Sequence, residues 1–134
     1  MNFNIITNAG QGDCLFLTIH QFLMKNNTKF KKKPLNVELL RKEIVKEMVS
    51  PENIDRQGGL LGFIMKINVN LRIHIPSIST FNMNQKQQDK KKMERIIKDY
   101  ENYMSRGGVQ GTYMELCCAA FWIYWYDHQR RQTE

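Results

Sequence analysis

Two glycines, an aspartate and a cysteine stand together near the start of the chain, in Gly10-Gln11-Gly12-Asp13-Cys14-Leu15-Phe16. Glycine permits a tight or left-handed turn at no steric cost. The residues after it, Leu15 through Met24, form an apolar run of about three helical turns. Cys14 is therefore expected at a helix N-terminus. The positive end of a helix favours a thiolate, and the thiolate is the nucleophilic form of cysteine. Unbonded N–H groups at the same end can hold the oxyanion that forms when a thiolate attacks a carbonyl. That is chemistry suited to a cysteine hydrolase. A structural cysteine after an ordinary glycine turn is the plainer reading of the same residues.

A thiol hydrolase also needs an imidazole within hydrogen-bond reach of sulfur, to form the ion pair and to protonate the leaving amine. The chain has three histidines, at 20, 74 and 128. His20 lies six residues along the helix that begins at Cys14, a spacing that turns it away from the thiol. His74 falls on the polar side of an alternating segment, where exposed surface is the simpler reading. His128 follows a long apolar helix and has Asp127 beside it.

The elements that must position these groups are legible in outline. At 134 residues, 42% of them hydrophobic, the chain can bury a core within one domain. Residues 3–6 suggest a short strand before the glycine turn. Asn36 is a candidate N-cap for a helix with Val37, Leu40, Ile44, Val45 and Met48 on one face and Arg41, Lys42, Lys46 and Glu47 on the other. Ser50-Pro51-Glu52 ends that helix and can begin another short turn. From Phe63 to Ile75 apolar residues at every second position alternate with Lys66, Asn68, Asn70, Arg72 and His74. That period predicts a strand or a bent hairpin ended by Pro76, with a loop over 77–88. A third helix is expected over about 87–105, stopped by Gly107, its initial lysine run opposing the helix dipole. The fourth starts with a capping box, Thr112-x-x-Glu115, and is apolar on nearly every side to Tyr126. Such a helix belongs in a core, with Cys117 and Cys118 as small packing residues.

Charge and cysteine usage narrow the function classes. The net charge of +7 is concentrated in lysine runs at 29–33 and 90–92, which read as solvated surface. No basic stripe is interleaved with exposed aromatics, so nucleic acid is not an expected partner. Three cysteines, two of them adjacent, make neither a disulfide framework nor a metal site. The N-terminal residues lack the regions of a secretory leader, and no window has the length of a membrane span. These features predict a protein of a reducing compartment, cytoplasmic or nuclear, with no membrane segment.

Three segments, in this order, resemble the ovarian-tumour (OTU) family of cysteine proteases, most of which are deubiquitinases. The family's D-G-N-C-L-F motif is matched by Gln11-Gly12-Asp13-Cys14-Leu15-Phe16, and its L-R-x-x-[VI] helix by Leu40-Arg41-Lys42-Glu43-Ile44. Its Y-x-x-x-M…G-x-W-G-[GT]-x-x-E-L block is matched by Tyr100 through Met104 and by Gly108-Val109-Gln110-Gly111-Thr112-Tyr113-Met114-Glu115-Leu116. Three positions depart from the pattern. Gln11 replaces an aspartate, Asp13 an asparagine and Gln110 a tryptophan. Asp13 opposes thiolate formation unless it points away or is paired.

The resemblance implies a single α+β domain over 1–134, with helices packed on a small sheet, an insertion at 58–88 and a polar tail at 127–134. The family's C-terminal strands would be incomplete. It further implies that Cys14 is the nucleophile, with backbone N–H groups of Gly12 and Asp13 in the oxyanion hole. Gln11, Gly111, Thr112, Glu115 and Leu116 would be motif residues of the scaffold. The partner would be ubiquitin or a ubiquitin-like protein, with no metal or organic cofactor. The family's base is a histidine followed closely by Asp or Asn, after strands beyond the Glu115-Leu116 helix. His128 is the candidate base, although it follows that helix sooner than the family's histidine does. Two alternatives remain open on sequence: a catalytically impaired OTU-like domain that binds ubiquitin, and a small basic interaction protein with a structural cysteine.

Overall fold

The computed structural model describes residues 12–25, 36–67, 69–81 and 89–132. Among them there are helices and no strand: α1 (Cys14–Lys25), α2 (Val37–Met48), α3 (Pro51–Arg56), α4 (Gly59–Lys66), α5 (Val69–Arg72), α6 (Pro76–Ser79), α7 (Lys90–Met104) and α8 (Tyr113–Gln132). The α+β expectation, with its small sheet, is overturned for these residues. The strand expected over 3–6 lies outside them. None of the described helices is long and apolar enough to cross a membrane.

The segment read as a strand shows why the sheet failed. Phe63, Ile67, Leu71 and Ile75 are all buried, as alternation requires. But Ile64 and Ile78 are buried too, while Met65 is 58% exposed and Ile73 76% exposed. Burial recurs at three and four, the period of helices, and Met65 and Ile73 on the apparent strand face point outward. A period of four contains a period of two when intervening positions happen to be apolar. These short helices are part of the core, not a sheet laid against it: α4 packs on α3 and α7, and α6 on α7. The Phe63 ring meets Tyr100 edge-on at 5.4 Å between centroids.

The remaining helices follow their sequence signals. Asn36 accepts from the Leu39 N–H at 2.8 Å and starts α2, and Ser50 with Pro51 starts α3. The lysines that open α7 are offset by Asp89, whose carboxylate accepts from the Lys91 N–H at 2.9 Å, and by Glu94, 3.9 Å from Lys90. Phe16, Ile19 and Leu23 of α1 join Leu40, Ile44, Val45 and Met48 of α2 and Ile96, Ile97, Tyr100 and Met104 of α7 in one core. α8 packs on α2; its Glu115, Cys118 and Ala119 are buried, whereas Leu116, Cys117, Phe121 and Tyr124 are exposed. The expectation of a helix enclosed on all sides therefore holds for one face. Its backbone stays helical through Gln132, across most of the polar tail.

Helical and strand readings of 63–75 differ most at residues 73 and 75. Ile75→Ala is expected to cost about 2–5 kcal/mol of stability, as for other buried Leu or Ile truncations. Ile73→Ala is expected to stay within about 0.5 kcal/mol of the parent in urea unfolding. Comparable losses at both positions would restore the strand reading.

Candidate functional site

The turn before α1 is shaped by close backbone approach. Gly12 has φ +83°, a conformation that favours glycine, and a Cβ there would collide with the Gly108 carbonyl. A Cβ on Gly111 would likewise press on the side chains of Leu15 and Phe16. The two glycines let the loop after α7 lie directly on the start of α1. Asp13 then begins the helix, its carbonyl accepting from the Leu17 N–H at 2.9 Å. Cys14 follows as the first helical residue, with its side chain exposed.

Arg41 is the group that holds these pieces together. The sequence pattern put it on the polar face of α2, yet it is 1% exposed. Positions 41, 45 and 48 share a row on the helix, and that row packs inward with the 40–44 row. One guanidinium nitrogen donates to the Met104 carbonyl at 3.0 Å, at the end of α7. The other donates to the Gly12 carbonyl at 3.2 Å and to the Asp13 carboxylate at 2.6 Å. The guanidinium also lies over the Phe16 ring, 4.1 Å from its centroid, where the ring face attracts a cation. A charged side chain so deeply placed is tolerated because each of these partners offsets lost hydration.

Asp13 is thereby neutralised. Its Oδ1 accepts from the Gly108 N–H at 3.0 Å as well as from Arg41. The Gly108 hydrogen bond, with the Arg41 bond and charge behind it, holds the carboxyl below its ordinary value of 3.8, against the opposing effect of burial. The carboxylate that the sequence placed beside a candidate thiolate is thus paired.

A second buried carboxylate fixes the far side of the loop. Glu115 is fully buried, and one of its oxygens accepts from the Tyr100 hydroxyl at 2.7 Å. The other accepts from the Thr112 N–H at 3.1 Å and from the Thr112 hydroxyl. The Thr112–Glu115 pair is present, with Glu115 reaching back to the cap residue as a capping box requires. Burial first, then the Glu115 charge and hydrogen bond, push the Tyr100 phenol well above its usual range. Tyr100 is therefore a neutral donor that anchors Glu115.

Most residues singled out in the sequence fall into this one region. Gly12 and Asp13 meet Gly108, and Gly111 meets Leu15 and Phe16, the residues after Cys14; Thr112 and Glu115 bond each other at the end of the same loop, while Leu116 is on the exposed side of α8. Gln11 lies outside the described residues. His128 belongs to the helical backbone of α8, and its side chain lies outside the described ones. His20 is half-buried, with Nε2 lacking a hydrogen-bond partner among the described residues. The exposed His74 ring stacks on Tyr103 at 5.7 Å. Together they edge a cavity of about 400 Å³ that reaches Gly111, Thr112 and Tyr113. Of the other thiols, burial pushes Cys118 up to about 11, so it is protonated at neutral pH.

Arg41 is the residue that the face assignment missed. Its place in the row with Val45 and Met48, one position after Leu40, was the available signal. Against family models, curated proteins and solved structures, the chain has no match.

The depressed Asp13 carboxyl has a consequence for acid stability. Its folded value lies below the 3.8 of the unfolded chain, so its stabilisation is complete above 3.8 and disappears as pH falls through the folded value. Urea unfolding at pH 7, 4 and 2.5 is expected to show Asp13→Asn less stable than the parent at pH 7, with the difference shrinking toward the lowest pH. A difference that stays constant with pH would rule out this pairing.

Proposed function

We propose that the chain is an OTU-like thiol hydrolase that cleaves the isopeptide bond after the C-terminal glycine of ubiquitin or a ubiquitin-like protein. The observation that carries this reading is the Arg41–Asp13–Gly108 network. It draws together the three segments on which the resemblance rests, around an exposed Cys14 at the start of α1. A structural cysteine would have no need of exposure or of a neutralised neighbour.

The chemistry follows from the position. The Cys14 thiolate attacks the glycine carbonyl carbon, forming a C–S bond and a tetrahedral oxyanion. Backbone N–H groups of Gly12, Asp13 and Cys14 are the candidate donors to that oxyanion. Collapse of the tetrahedral species breaks the C–N bond, and the lysine amine leaves after accepting a proton. His128, with Asp127 beside it, is the candidate for delivering that proton. Water then hydrolyses the thioester, releasing the glycine carboxylate and restoring the thiol. No step calls on a metal or organic cofactor, and the thiol must be reduced, as in the cytoplasm or nucleus.

A ubiquitin carrying a C-terminal electrophile is expected to label the parent protein covalently and to leave Cys14→Ser unlabelled. Ubiquitin binding without labelling would overturn the hydrolase and leave a ubiquitin-binding domain. Neither binding nor labelling would leave a basic interaction protein with a structural cysteine.

A further inference from the structure

Asp13 is placed as an N-cap but does not act as one toward its own helix. An aspartate whose carbonyl accepts the first bond of a helix ordinarily turns its carboxylate onto the N–H groups two or three residues on. The carboxylate of Asp13 instead accepts from Arg41 at 2.6 Å and from Gly108 at 3.0 Å, both outside α1. The first N–H groups of a helix have no partner in its own ladder. Those of Leu15 and Phe16 have no acceptor among the described residues. The group that diverts the carboxylate is itself immobilised: Arg41 is buried and bound to Met104 and Gly12, with Phe16 beneath it.

We propose that Arg41 is a positioning residue that keeps the Asp13 carboxylate off the N-terminus of α1. With Arg41 in place, the positive end of α1 stays uncapped beside Cys14, and the negative charge of Asp13 is balanced next to the thiol. Without Arg41, the same carboxylate is free to fold back as an ordinary cap. It then occupies that end and sets an uncompensated anion next to the thiol. Arg41 acts through Asp13 and touches no substrate. The inference rests on the reading of Cys14 as a nucleophile.

Site-resolved alkylation by iodoacetamide at pH 7 tests it in the parent, Arg41→Met, Asp13→Ala and the double variant. Arg41→Met is expected to slow alkylation of Cys14 by about tenfold, because an unpaired carboxylate then stands beside the attacking sulfur and occupies the helix end. Asp13→Ala added to Arg41→Met is expected to return the rate to within about threefold of the parent, since the misplaced carboxylate is gone. A purely structural Arg41 gives a double variant no closer to the parent than Arg41→Met, and that result overturns the proposal. Alkylation of the buried Cys118 reports unfolding in each protein. Arg41→Lys, which keeps the charge, is the second variant if Arg41→Met unfolds; it is expected to slow Cys14 less than Arg41→Gln, and equal slowing overturns the proposal. Iodoacetamide requires no ubiquitin recognition. The expected pattern without labelling by the ubiquitin electrophile would defeat the hydrolase and spare the role of Arg41. Probe labelling with an unchanged Cys14 rate in Arg41→Met would do the reverse.

Discussion

A buried guanidinium must find partners for its charge and its fixed fork of donors, and Arg41 finds three of them in two distant parts of the chain. It binds the end of α7 through Met104, the turn before α1 through Gly12 and the first residue of the nucleophile's helix cap through Asp13. Each bond is modest against the cost of dehydrating the ion, and removing any partner leaves a charge with less compensation. The consequence is geometric. Wherever α2 places Arg41, α1 and the end of α7 must follow.

The glycines and the second carboxylate make that arrangement possible. Gly12 and Gly111 admit the 108–112 loop against α1 at distances that no side chain would tolerate. Glu115, held by Tyr100 and Thr112, fixes the other end of the loop to α7 and to the start of α8. Two buried ionic groups thus act on opposite sides of one short loop, and the exposed thiol sits where the loop meets α1. Burial elsewhere separates the cysteines by chemistry: Cys118 is kept protonated in the core, while Cys14 is presented at a helix end.

Much of this was readable in the sequence, for identifiable reasons. The starts of α1, α2 and α8 were marked by a glycine turn, an asparagine cap and a Thr–Glu pair, each written within a few consecutive residues. Local signals of this kind survive whatever the tertiary fold does. The 63–75 segment misled because Met65 and Ile73 are apolar but exposed, giving a helical sequence the alternation of a strand. Arg41 was misplaced because charge usually marks a solvent face. Its pairing with Asp13 spans 28 positions and leaves no local trace. The apolar perimeter of α8 could not report which of its faces would find a neighbour.

The dependence of the site on Arg41 can be measured as a coupling energy. A double-mutant cycle in urea unfolding, built from Arg41→Met and Asp13→Ala, isolates the interaction between α2 and the turn before Cys14. Side chains sharing one hydrogen-bonded network couple by about 0.5–3 kcal/mol, and a short charge-assisted bond to a buried guanidinium is expected in the upper half of that range. Additive losses, with coupling below about 0.5 kcal/mol, would mean that Arg41 does not organise the site.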